Sequence, residues 1–175
     1  MLLLVDTQDN IIGYEEKMKT HELWLLHRAF SVYVFDRSGK MLIQQRAMSK
    51  YHAPWLRANT CCSHQMPWES NEAAAHRRLI EEMGFDCPLT KVTEFIYQVP
   101  VPPNLIEHEY LHIFTGIIDN QVINPNPAEV RSYQRITTAE FTKRVHDDDP
   151  SIAPWTKITW LKAGEQITEK VRELY

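Results

Sequence analysis

The chain has 175 residues, 19 basic and 23 acidic, with a formal charge of −4. Hydrophobic residues make up 43%, enough for a sizeable core, which excludes a disordered chain. The mild acidity gives no general pull toward nucleic acid or an anionic membrane surface, and the length suits one domain covering 1–175.

In chain order, the apolar opening from Met1 to Val5 stops at Asp6, too short for a membrane span or a secretion signal. Residues 2–5 and 11–14 flank Gln8-Asp9-Asn10 and read as a hairpin. Residues 27–35 and 41–45 flank Arg37-Ser38-Gly39 and read as a second one, with alternating side chains. A loop with Pro54 and Trp55 follows, then the short stretch 60–64. Residues 70–84 predict a helix: Ser70 or Asn71 caps it, Glu72 suits the positive first turn, and Gly84 fits its exit. Ala75, Leu79 and Met83 form its apolar stripe. Beyond it, 92–99 and 109–117 read as strands, 138–145 as a short helix, and Pro154 opens a long final helix. The acidic run at 146–149 reads as a solvated loop. Strands and helices mix without regular alternation, which predicts an α+β fold. Cys61, Cys62 and Cys87 are an odd set with two adjacent members, so a disulfide framework is disfavoured and a reducing cytosol is the expected compartment.

Several groups can carry chemistry. Glu107 and Glu109 are two apart at the start of a strand, so they share a face, and Leu111 and Ile113 continue it. Two carboxylates at a core edge need a cation between them, unless the strand end is solvated. Cys62 and His64 share a face in the same way; the alternatives are a buried small apolar side chain and a core histidine. No CxxC occurs, which argues against a zinc ribbon. His21 and His27 precede or open the alternating strand, while His52, His76, His108, His112 and His146 fit no pattern and read as surface or structural.

Glu69, Arg77, Glu81, Glu82 and Gly84 follow Ser63 at fixed spacing, and this resembles a degenerate Nudix box. Ser63 stands at its glycine, and Arg78 replaces a glutamate that a diphosphate hydrolase uses to hold metal ions. With HRAF at 27–30 and NTCCSH at 59–64, those departures resemble type 1 isopentenyl diphosphate isomerases over roughly residues 17–160. The resemblance implies a Nudix-like α+β domain whose mixed sheet lies between helices. It implies interconversion of isopentenyl and dimethylallyl diphosphates by protonation and deprotonation through a carbocation.

By the same resemblance, His21, His27, His64, Glu107 and Glu109 hold one divalent ion, Mn²⁺, Zn²⁺ or Mg²⁺. Glu82 helps hold Mg²⁺ on the substrate diphosphate, which Lys17, Arg46, Lys50 and Arg78 contact. Glu109 is the candidate acid with Tyr97 beside it, Cys62 the opposing base, and Trp160 the aromatic face for the cation. The implied partner is a small-molecule diphosphate, with neither nucleic acid nor membrane, and the sequence leaves the oligomeric state open. The competing readings are a Nudix-type diphosphate hydrolase and a silent diphosphate-binding module on the same fold.

Overall fold

The computed structural model describes residues 1–50, 53–102 and 104–175, so His52 lies outside the described residues. The elements run β1 (Leu2–Val5), β2 (Ile11–Glu15), α1 (Lys17–Glu22), β3 (His27–Asp36), β4 (Lys40–Arg46), β5 (Arg57–Ala58), β6 (Cys61–Ser63) and α2 (Asn71–Met83). They continue with β7 (Leu89–Val101), β8 (Leu105–Ile118), β9 (Val130–Thr137), α3 (Thr138–His146) and α4 (Pro154–Glu173).

β3 is the hub of one mixed sheet. It runs parallel to β8, from His27↔Glu109 to Asp36↔Ile118, and antiparallel to β1, β4 and β6. β7 adds to β8, and β9 to β4. Strand alternation divides the core. Ala29, Tyr33 and Phe35 join Phe141 of α3 and Trp160 of α4 on one face, while Phe30, Val32 and Val34 meet Leu79 and Met83 of α2 on the other. The sheet therefore lies between helical layers, the α+β arrangement that the sequence predicts.

α2 forms as its ends dictate. The Ser70 hydroxyl accepts from the Ala73 N–H at 3.1 Å, a cap worth about 1 kcal/mol. Gly84 ends the helix at φ 74. A Cβ there would lie 2.1 Å from the Asn124 carbonyl oxygen, so both conformation and space require glycine.

The structure corrects the reading of the 105–118 strand, and at Asp149 alone that of the acidic run, whose residues 146–148 are exposed. β8 begins at Leu105, which places Glu107 and Glu109 inside a paired strand at 5% and 7% exposure, not at a solvated end. Asp149 is bound into the chain, pairing with Arg144 at 2.8 Å and accepting from the Ser151 N–H at 2.8 Å. Three elements escaped the sequence reading: α1, β5 and β9. Among the described residues, no helix is long and apolar enough to cross a membrane.

Candidate active site

Three elements and one loop bring the imidazoles and carboxylates together. β3 and β8 pair His27 with Glu109, α1 presents His21, and His64 follows β6. One ligand atom from each of His21, His27, His64 and Glu107 lies within 4.8 Å of the others. His21 Nε2 is 2.9 Å from a Glu107 oxygen, and His64 Nε2 is 3.4 Å from Glu109 Oε1. His21 Nδ1 faces the Lys17 carbonyl at 2.6 Å and His27 Nδ1 the Leu25 carbonyl at 2.9 Å. A carbonyl only accepts, so in both rings Nδ1 carries a proton; His27 Nε2 offers its lone pair inward, while His21 Nε2 faces the Glu107 carboxylate. Nε2 of His27 and of His64 is buried with no hydrogen-bond partner among the described residues. Buried acceptors converging beside a carboxylate form a nitrogen and oxygen donor set that fits a divalent ion.

Protonation follows the same geometry. Burial holds His27 down to about 4 and drives His64 well below the usual imidazole range. For His21 burial pulls downward, but the hydrogen bond and charge of Glu107 win and raise it. Burial, reinforced by the charge of Glu107, lifts the Glu109 carboxyl well above its ordinary range, although a hydrogen bond from Tyr97 pulls the other way. Tyr97 sits opposite Glu109 on β7 and donates its hydroxyl to Oε2 at 2.7 Å.

His64, Glu107 and Glu109 of the cluster border a cavity of about 190 Å³, lined also by Lys17, Arg46, Lys50, Cys62, Arg78 and Trp155. Four cationic side chains around one cavity make a site for a multiply charged anion. Gln44 and Arg78 hold Glu82 at 2.9 and 2.7 Å, and Glu129 of the β8–β9 loop pairs with both Lys50 and Arg78. Burial pushes the Cys62 thiol up to about 12, against the pull of the nearby Arg46 guanidinium. Cys61 is fully buried on the α2 face, so the two neighbours point to opposite sides of the sheet, as alternation requires.

One sequence expectation fails. Trp160 does not line the cavity. It packs between Tyr33, 5.8 Å away, and Phe141, 5.1 Å away, and its Nε1–H donates to Thr142 Oγ1 at 2.9 Å. Five residues along a helix turn a side chain about 140° from its starting direction, so Trp160 and Trp155 cannot share a wall. Trp155 is the aromatic side chain at the cavity among the described residues, with the Arg46 guanidinium 5.0 Å from its ring centre. Sequence reasoning also missed Ser31, Gln44 and Glu129; only a polar residue in the inward phase of a strand could have flagged the first two.

The sequence matches the family model for the NUDIX domain over residues 25–156. It is 46% identical to isopentenyl-diphosphate Delta-isomerase 2 of Photorhabdus laumondii over 90% of this chain and 88% of that protein. It is 44% identical to the isopentenyl-diphosphate Delta-isomerase of Burkholderia multivorans over 93% and 92%. The fold is similar to that of DR0079 from Deinococcus radiodurans, with a TM-score of 0.71 at 14% identity, covering 90% of this chain and 95% of that one.

Proposed function

The chain belongs to the isopentenyl-diphosphate Delta-isomerase family on a Nudix fold, and from that premise we propose how its own residues move a carbon–carbon double bond. The observation that carries the reading is that Cys62, Glu109 and four cations line a single cavity. Lys17, Arg46, Lys50 and Arg78 bind the diphosphate of isopentenyl diphosphate and set its five-carbon chain between the thiol and the carboxyl.

Glu109 gives its proton to the terminal methylene carbon, leaving a tertiary cation at the branched carbon. Cys62 removes a proton from the carbon next to the diphosphate-bearing one, and dimethylallyl diphosphate results. One proton enters and one leaves, so no redox partner is needed. Tyr97 supports Glu109 through its hydrogen bond, and Trp155 replaces Trp160 as the aromatic face available to the cation. In the reverse direction thiol and carboxylate exchange roles.

His21, His27, His64, Glu107 and Glu109 would hold a divalent ion, Mn²⁺, Zn²⁺ or Mg²⁺, and Glu82 a Mg²⁺ that arrives with the diphosphate. Such ions supply positive charge that sharpens the acidity of the Glu109 proton and offsets the charge of the diphosphate. Two features speak against hydrolysis: Arg78 stands where the Nudix helix carries a metal-holding glutamate, and Arg77 ties up Glu81 together with Glu69 just before the helix.

The test is a pair of neighbouring substitutions. Cys62→Ala should abolish dimethylallyl diphosphate formation while Mn²⁺ binding persists, and Cys61→Ala should lose less than about tenfold because it faces α2. Equal losses in both would place the base elsewhere.

A further inference from the structure

The sheet face opposite the imidazole cluster carries a second polar network. Asp9, in the turn between β1 and β2, is held in the left-handed region at φ 65. Its Oδ1 accepts from Arg28 Nε at 2.7 Å, and its Oδ2 lies 2.9 Å from His112 Nε2. Its backbone carbonyl accepts from Arg28 Nη2 at 2.5 Å. The other nitrogen of His112 is 3.2 Å from Glu94, and Arg28 Nη1 donates to Gln65 at 3.5 Å.

The turn does not need this carboxylate. Asp6 closes it, accepting from the Gln8 and Asn10 N–H groups at 2.8 and 2.9 Å. Asp9 instead spends both oxygens on β3 and β8, strands distant in sequence. Its anchors stand directly behind the site. Arg28 follows His27, Gln65 follows His64, and His112 lies one turn of alternation beyond Tyr110, which pairs in register with Arg28. The hairpin also leads straight into α1, the element that carries Lys17 and His21. Backbone contact between the hairpin and the chain at β3 includes the Leu4↔His27 pair and a Val5 N–H bond to the Leu26 carbonyl at 3.1 Å.

We infer that Asp9 is a positioning residue: its carboxylate latches the N-terminal hairpin onto β3 and β8, and so sets His21 and Lys17 against the rest of the site. The consequence for metal binding rests on the reading of the imidazole cluster given above; the latch itself does not. Lys17 and His21 of the site thus depend on a residue on the far side of the sheet.

The test uses Asp9→Asn, which keeps a residue tolerant of the left-handed backbone and removes the charge. Amide hydrogen exchange on the intact, metal-free protein should rise about tenfold in residues 2–22, with α2 and β8 unchanged. If the competent arrangement falls to about a tenth of the population, Mn²⁺ affinity read by titration falls about tenfold. His112→Gln, which opens the same latch from the other side, should reproduce the local pattern. Unchanged exchange in 2–22 would overturn the inference, and so would a loss of protection spread evenly over the chain in both variants. Failure of the unsubstituted protein to bind Mn²⁺ would remove the metal reading, while the exchange pattern still decides the latch.

Discussion

At Trp155 and Trp160, two tryptophans on one helix separate chemistry from packing. Trp155 borders the cavity, whereas Trp160 is wedged between Tyr33 and Phe141. Trp155→Leu should lower kcat roughly tenfold to a hundredfold with little change in KM, because a desolvated cation–π contact is worth about 2 kcal/mol. Trp160→Leu should lower the melting temperature and leave the kinetics of the folded enzyme near normal. Steady-state kinetics beside thermal melts distinguish them, and a kinetic defect confined to Trp160→Leu would reverse the assignment. The buried imidazoles make a separate demand. His27 is held down to about 4 by burial, while the unfolded chain protonates near 6.5. Between those values the unfolded state binds the extra proton, so metal-free protein loses stability as pH falls through this window. From pH 7 to pH 5 the His27 contribution is about 2 kcal/mol, and urea titrations of the parent and His27→Gln should differ by that slope. Equal slopes would contradict a neutral buried His27. Strand alternation made the pairings of Glu107 with Glu109 and of Cys62 with His64 legible, whereas only the family resemblance joined His21 and His27 to them. It could not tell Trp155 from Trp160, since that choice depends on where α4 begins and how it is rotated on the sheet.

At the scale of elements, α2 was readable from end to end: Ser70 caps it and Gly84 closes it in the conformation glycine favours. Gly84 also admits the chain at Asn124, whose N–H bonds the Met83 carbonyl at 3.2 Å, while the Asn126 N–H bonds that of Glu82 at 3.0 Å. Gly84→Ala should therefore cost at least about 2 kcal/mol, combining backbone strain with a contact that must open. Because Glu82 lies in that last turn, a parallel fall in activity should accompany the loss. Chemical denaturation and rate measurements on one preparation check both, and an unchanged midpoint would show that the loop yields freely. α1 was not legible: six residues are too few for helical periodicity, and its cap is Glu16, which accepts from the Lys19 N–H at 3.1 Å. β9 was hidden for another reason. Its exposed Arg131, Ser132 and Tyr133 break the apolar alternation that marks a strand.

For the whole molecule, a mixed sheet gathers residues from widely separated stretches into one cavity, and the same sheet screens the two faces from each other. Cys62 and Glu109 belong to the face that α4 covers; Cys61 and the Asp9 network belong to the other. The α+β arrangement was legible because strand and helix patterns follow each other irregularly, whereas the parallel pairing of β3 with β8 leaves no local signal. That pairing is what sets His27 beside Glu109. Such an assembly should shift a double bond and leave the diphosphate intact. This is tested most directly by incubating the protein with isopentenyl diphosphate, Mg²⁺ and Mn²⁺ and following dimethylallyl diphosphate and released phosphate in one time course. The account predicts that dimethylallyl diphosphate accumulates to an equilibrium mixture with no phosphate released; phosphate release without a change in double-bond position would contradict it.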